Sequence, residues 1–281
     1  MPVECLLCHS TSKNVLYRFE FGKILECGDC GFVYTASKSE TKLVECRYNR
    51  RYYKNKDEGS CCGYQDYFGK ERQLRIQVAQ VFVRMLTSLG KSNGKLLDVG
   101  CGGGFLVHEA ISCGWDATGI DLSKYAVQRA SSFGSGHILQ GTLRDHTKTH
   151  LNNKQYDAIT MFDVIEHLKN PLREIEYAHS LLSPGGILVL VTPIYGGWLS
   201  HEQGARYVQF KKDHIYHFTL ENMKTLLQLS AFTNFKIRRI ADVLAEIKDD
   251  VSRDVLEKYR DARESMLVVC ERYPASDSCH Q

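Results

Sequence analysis

The sequence predicts a doubly wound α/β domain with a small four-cysteine unit in front of it. Three observations predict this. Lys95 to Gly104 reads KLLDVGCGGG, an apolar strand running into a glycine turn, with a helix from Phe105 to Ile111 after it. A second strand ends in Gly119-Ile120-Asp121, 21 residues after Gly100. Near the start, Cys5-x-x-Cys8 and Cys27-x-x-Cys30 form two knuckles separated by 18 residues. Strand, glycine turn and helix make the first unit of an open α/β sheet, whose ligands sit outside the carboxyl ends of its strands.

Composition narrows the classes. With 281 residues the chain can bury a full core, and its net charge of +3 with 25% charged residues is too mild to argue for nucleic acid or membrane by itself. No run of 18 apolar residues occurs, and MPVECLLC has no signal-peptide core, so a soluble cytoplasmic protein without membrane insertion is expected. Eleven cysteines, four of them in metal spacing, favour a reducing compartment with bound metal over a disulfide framework.

In chain order, residues 1–45 form the first unit. Val15 to Phe19 and Lys23 to Glu26 read as a hairpin about Gly22, and Phe32-Val33-Tyr34 follows the second knuckle. The thiolates of Cys5, Cys8, Cys27 and Cys30 satisfy one tetrahedral Zn²⁺ and leave no open position, so the metal is structural. A unit this short has little core of its own, so metal binding supplies much of its folding energy. Residues 46–94 hold an aromatic linker (Tyr48, Tyr52, Tyr53, Tyr64, Tyr67, Phe68) and a helix. The rings either pack the linker down or form a lid in which Tyr64 or Tyr67 touches a ligand. Asn55 to Gly63 reads as a mobile linker, and Cys61-Cys62 lack knuckle spacing. Leu74, Val78, Val81, Phe82, Met85, Leu86 and Leu89 give the helix over 70–89 one apolar face, read as core packing.

Residues 95–281 carry the remaining elements. Ser123 caps a helix running to Phe133, Ile138-Leu139 is a short strand, and Tyr156 to Phe162 is another. Asn170 caps a helix that starts at Pro171. Ser183-Pro184-Gly185-Gly186 turns into an apolar strand from Ile187 to Val191. Thr219 caps a helix, Phe232 to Ile240 and Met266 to Glu271 are the last strands, and Val243 to Arg263 reads as a helical insertion.

The ligand follows from the loop. A pyrophosphate-binding loop reads G-x-G-x-x-G, but its third glycine would fall on Phe105. Here the loop is G-x-G-x-G, with Asp98 two residues ahead of it. A carboxylate at that place suits a cationic ligand, and S-adenosylmethionine (SAM) carries a sulfonium and an ammonium but no phosphate. Asp121, at the end of the second strand, can accept both hydroxyls of a ribose.

From Leu96 to Pro193 the pieces LLDVGCGGG, ATGIDLS, LQGTLRD, YDAITMFDVIEHL and LLSPGGILVLVTP resemble, in order and spacing, the class I SAM-dependent methyltransferases. The resemblance implies a seven-stranded Rossmann-like sheet with one antiparallel strand. It implies that Asp98 and the glycines Gly100, Gly102 and Gly104 hold the methionine end. It places Asp121 and Leu122 at the ribose and adenine edge, Thr142 and Leu143 beside the adenine, and Asp163 under the sulfonium. The cysteine unit with its tyrosine-rich linker resembles the zinc-binding segment that begins many bacterial methyltransferases of sugars, lipids and secondary metabolites.

Two stretches past the fourth and fifth strands can supply a base: Asp163-Val164-Ile165-Glu166-His167 and Asp213 to Thr219. His214 or His167 is the expected general base, with Glu166 on the same helical face as His167. The D-x-x-E-H pattern resembles the E-x-x-E-H of ubiquinone-pathway O-methyltransferases and plant small-RNA ribose methyltransferases, which bind Mg²⁺, and His214 aligns with a further histidine of the RNA enzymes. Asp163 is one methylene short of that pattern, so Mg²⁺ is the lesser alternative to metal-free base catalysis. Tyr195 is a further candidate for the substrate pocket. The expected activity is O-methylation of a small-molecule hydroxyl. The alternatives are carbon methylation, RNA methylation (disfavoured because basic residues are scattered) and a scaffold that binds SAM without turnover. Phe105 and Asp98 disfavour a nicotinamide oxidoreductase. The sequence leaves the acceptor and the oligomeric state open.

Overall fold

The computed structural model describes residues 4–37, 48–54, 63–133, 136–147, 154–246, 255 and 264–273. Most of the linker at 55–63 and of the insertion at 243–263 lies outside them.

The central sheet is built from β4 (Lys95–Val99), β5 (Asp116–Asp121), β6 (His137–Gln140), β7 (Tyr156–Phe162), β8 (Leu182–Pro193), β10 (Asn234–Arg239) and β11 (Ser265–Glu271). Its order is β10-β11-β8-β7-β4-β5-β6. Strands β4 to β8 are mutually parallel, and β11 runs antiparallel to both of its neighbours. The chain leaves β4 toward β5 and β6, then returns to place β7 on the other side of β4. That reversal opens a crevice at the carboxyl ends of β4 and β7.

Alternating side chains divide the core into two layers. On one face Leu97, Ile159, Leu188, Leu190 and Val268 pack against Ile175 and Leu181 of α6 (Pro171–Leu181) and Leu226 and Leu227 of α8 (Leu220–Leu229). On the other, Leu96, Ala158, Val189 and Leu267 pack against Val78, Phe82 and Met85 of α2 (Arg72–Ser88), Val107 of α3 (Phe105–Ser112) and Val243 of α9 (Ile240–Glu246). Both faces of the sheet are therefore covered, as a mostly parallel sheet requires.

Local chemistry sets the helix starts. Ser123 accepts a hydrogen bond from the Ala126 amide at the head of α4 (Lys124–Ser131), Asn170 from Arg173, and Thr219 from Asn222. The helix stops at Leu181, and β8 already opens at Leu182, so Ser183-Pro184-Gly185-Gly186, expected as a turn before the strand, lies within it. The bend is absorbed as a register shift against β7, between Tyr156 and Ala158.

The N-terminal strands β1 (Lys13–Phe19), β2 (Gly22–Cys27) and β3 (Val33–Ser37) form an antiparallel ribbon. A fourth strand, β9 (Tyr216–His217), comes from the far end of the chain and pairs with β3. Cys5, Cys27, Phe32 and Tyr34 belong to the same buried cluster as Tyr216 and Phe218, so the ribbon is packed into the larger core.

Candidate active site

The glycine turn is shaped by backbone conformations that a side chain disfavours. Gly100, Gly102 and Gly104 have φ of 74°, 52° and 69°. The amides of Gly100 and Cys101 both donate to the Ile120 carbonyl, at 2.7 and 3.0 Å, which ties the turn to β5. Asp121 spans the turn from the other side: its carboxylate accepts from the Gly102 amide at 2.8 Å and the Ser123 amide at 2.7 Å. Asp98 is buried and accepts from the Thr160 hydroxyl at 2.7 Å. Burial pushes the Asp98 carboxyl up to about 7; the Thr160 hydrogen bond opposes the shift, and the Asp121 charge adds to it. Asp121 is raised as well, by burial, against the pull of its two amide donors.

A cavity of about 250 Å³ opens above these groups. Asp98, Gly100, Gly102, Asp121, Leu122, Thr142, Leu143, Asp163 and His167 all line it. Gly104 does not; it is the left-handed residue that starts α3, and a Cβ there would lie 3.1 Å from the Ala130 Cβ. Thr142 is fixed by Asp145, which accepts from its amide at 2.9 Å and its hydroxyl at 2.7 Å. Leu143 opens a short helix, α5 (Leu143–Thr147), that the sequence pattern did not suggest. Asp163 holds φ at 54°, an uncommon conformation for a side-chain-bearing residue, at the end of β7.

The opposite wall is aromatic. Tyr48, Tyr52, Tyr53, Tyr64 and Tyr67 line the cavity, and α1 (Arg50–Tyr53) carries the second and third of them. The Tyr64 amide donates to the Tyr52 carbonyl at 2.8 Å and Tyr67 to Tyr53 at 2.9 Å, so the two halves of the linker are zipped together. Ser123 donates to the Tyr48 carbonyl and ties the linker to the loop after β5. The linker thus both packs and lines the cavity.

Helix α2 is more than core. Arg75, Val78, Ala79 and Phe82 fall at helical spacing on one stripe, and all four line the cavity. The Arg75 guanidinium lies over the rings of Tyr64 and Tyr67, 4.5 and 4.8 Å from their centroids, and donates to Glu71 at 2.7 Å. Its Nε is buried and makes no hydrogen bond among the described residues. An arginine within an apolar stripe was the signal for this residue in the sequence.

The candidate bases form a compact group at the cavity edge. His167 Nδ1 is 2.8 Å from the Asp213 carbonyl oxygen. A carbonyl can only accept, so Nδ1 carries a proton, and in the neutral ring Nε2 is the acceptor. Nε2 lies 3.9 Å from Glu166 Oε1, and the His214 ring stands edge-on to His167 with centroids 4.7 Å apart. Glu166 is buried and accepts from the Thr192 hydroxyl at 2.9 Å. Burial pushes its carboxyl up to about 7, with the Asp163 charge adding and His167 and Thr192 opposing. His214 lines a second, much smaller cavity beside Glu166, Gln209, Tyr195 and Tyr207, so it backs His167 and does not face the large cavity. One ligand atom each from Glu166, His167 and His214 lies within 4.8 Å of the others, a set that could hold a divalent cation.

The four N-terminal cysteines meet at one point, with their sulfurs all within 4.8 Å of one another. Cys5 and Cys30, and Cys8 and Cys27, are 3.5 Å apart. Four sulfurs tetrahedrally around zinc at about 2.3 Å stand about 3.8 Å from each other, so the group fits that ion with small movements.

A profile of the Methyltransferase domain family matches residues 70–237, from α2 through the central sheet to β10. The chain belongs to this methyltransferase family. Among curated relatives, the ubiquinone biosynthesis O-methyltransferase of Psychrobacter cryohalolentis is 38% identical over 111 residues, covering 37% of this chain and 42% of that protein. The enzyme of the same name from Klebsiella pneumoniae is 34% identical over 121 residues, covering 41% and 49%. The chain thus spans less than half the length of these relatives. Among solved structures, the plantazolicin methyltransferase BpumL in complex with a pentazolic desmethylPZN analog and SAH is 18% identical with a TM-score of 0.55, covering 72% of this chain and 85% of that one. A SAM-dependent methyltransferase from Archaeoglobus fulgidus is 16% identical with a TM-score of 0.52, covering 73% and 99%. These likenesses establish the class I methyltransferase fold. Among the described residues no helix is long and apolar enough to cross a membrane.

Proposed function

We propose that this methyltransferase moves the methyl group of SAM to a hydroxyl of a small molecule. One observation carries the reading: a single cavity is lined both by the donor-binding candidates, from Asp98 to Asp163, and by His167. The ubiquinone-pathway O-methyltransferases that match in sequence support the choice of oxygen as acceptor atom.

In this reading Asp98 takes the donor's ammonium and Asp121 its ribose hydroxyls. Leu122, Thr142 and Leu143 flank the adenine, and Asp163 faces the sulfonium. Arg75, the cation among the α2 residues that line the cavity, receives the donor's carboxylate. The tyrosines form the face against which a planar or apolar acceptor stacks. In the reaction, His167 Nε2 takes the acceptor's hydroxyl proton as the oxygen attacks the methyl carbon in line with sulfur. The O–C bond forms as the C–S bond breaks, and S-adenosylhomocysteine (SAH) departs. Glu166 lies beside Nε2 and offsets the charge of the imidazolium. The ligand group of Glu166, His167 and His214 supports a second form of the reading. There these three residues hold a divalent cation, which when bound supplies Lewis acidity to the acceptor oxygen. Zn²⁺ in the cysteine site is structural in both forms, and free thiols with a bound metal suit a reducing cytoplasm.

The test is SAH release from SAM by the full chain, given a panel of phenols, catechols, sugars and lipid hydroxyls, with RNA as a separate arm. The proposal expects turnover with a member of the hydroxyl panel and its loss in His167→Gln. Turnover on RNA alone would overturn the acceptor class, and absence of SAH with every acceptor would overturn the activity.

A further inference from the structure

The Asp213–His217 segment is held from two sides. On one side the Ile215 amide donates to the Glu166 carbonyl at 2.8 Å, and the Asp213 carbonyl accepts from His167 Nδ1 at 2.8 Å. These two contacts fix the ring of the proposed base and the turn that carries Glu166. On the other side stands β3, which belongs to the cysteine ribbon. Its Thr35 amide donates to the Ile215 carbonyl at 2.7 Å, and Val33 and Tyr34 pair with His217 and Tyr216. The Thr35 hydroxyl lies 2.9 Å from His217 Nε2, with both residues buried. Ile215 therefore bridges Thr35 and Glu166 through its own peptide groups.

The ladder begins at a knuckle. The Cys27 amide donates to the Phe32 carbonyl at 2.9 Å, directly before β3. Phe32 is fully buried and stacks on Tyr216 with centroids 5.4 Å apart and planes at 14°. The contacts of Phe32 and Thr35 thus connect the second knuckle to the segment that orients His167 and carries His214. The donor end of the cavity is held by other elements: Asp98, on β4, accepts from Thr160 of β7, and Asp121, at the end of β5, accepts from the Gly102 and Ser123 amides.

We propose that Thr35 is a positioning residue of the catalytic centre, and that metal in the four-cysteine site holds it there, making that metal an effector of the base cluster. This rests on the function proposed above. Packed interiors pass such shifts on as discrete rearrangements. A misplacement of about 1 Å at a reacting group costs up to about a hundredfold in rate.

The experiment uses the full chain, with histidines carbon-13 labelled at Cε1. The His167 and His214 resonances are assigned from His167→Gln and His214→Gln. Zn²⁺ is withdrawn by a chelator, counted colorimetrically, and returned. The proposal expects removal to shift the His167 and His214 resonances and lower kcat about tenfold or more, while SAH affinity in titration calorimetry stays within about twofold. Zn²⁺ restores both. Thr35→Val should give the same shift in smaller degree with Zn²⁺ still bound, and Thr35→Ser should restore it. Unmoved resonances in the stripped protein or in Thr35→Val would overturn the proposal. So would loss of SAH affinity in step with the shifts, because the ribbon would then serve only to keep the whole chain folded. Failure of native protein to bind SAH would instead sink the methyl-transfer reading, and the histidine resonances would still report on the coupling.

Discussion

Asp98 ties the donor to pH. Its carboxyl is buried, held by Thr160, and raised from 3.8 to about 7. If it binds the donor's ammonium, only its ionised form is competent. At pH 6 about one-tenth of the unliganded protein carries that charge, and at pH 8 about nine-tenths. SAH should therefore bind about tenfold more weakly at pH 6 than at pH 8, and binding near pH 7 should release about half a proton. Titration calorimetry in buffers of different ionisation enthalpy reads both quantities. In Asp98→Asn the slope and the proton release should vanish together with most of the affinity. Stability should run the other way. Folding raises this pKa, so the unliganded native state binds the extra proton. Its contribution is undiminished below about pH 4 and is lost as pH climbs through about 7, by a few kcal/mol at most. Thermal melts of the unliganded protein should show that loss between about pH 4 and pH 7 and level off above it, and saturating SAH should reduce it. An SAH affinity that is flat from pH 6 to pH 8, with no proton released, would refute the assignment of Asp98.

Three further substitutions test neighbouring contacts. Thr160→Val removes the hydroxyl that favours the Asp98 carboxylate, so the midpoint of the affinity profile should move up by about one pH unit. Gly102→Ala should lose SAH affinity strongly in calorimetry, because its φ of 52° is strained for alanine and the new Cβ would stand 2.8 Å from the Tyr67 hydroxyl. Arg75→Met keeps an unbranched, apolar stem on the α2 stripe and removes the guanidinium and its charge. SAH affinity should fall about tenfold or more, with less effect on adenosine, which has no carboxylate.

Where the chemistry is local, the sequence was a good guide to the structure. The glycine turn has to take positive φ, and the caps Ser123, Asn170 and Thr219 act within three residues of themselves, so sequence spacing carries them. Apolar runs such as Ile187 to Val191 mark strands covered on both faces. Features set by distant partners were hidden. β9 is two residues long and exists because β3 lies beside it, 182 residues away along the chain for the Thr35–His217 pair. The tautomer of His167 is set by a backbone carbonyl 46 residues further on, which no side-chain pattern records. Arg75 was legible in principle, since it shares a stripe with Val78, Ala79 and Phe82. Reading that stripe as core alone left out that one end of a helix can face a crevice.

The central claim is that the crevice above β4 and β7 receives the methyl donor. A crystal structure of the full chain grown with SAH tests it most directly. The account predicts density for one nucleoside in the cavity, its ribose hydroxyls on Asp121, its amino group on Asp98 and its adenine between Leu122 and Leu143. Density at another site, or a crevice that holds only solvent at saturating SAH, would contradict it.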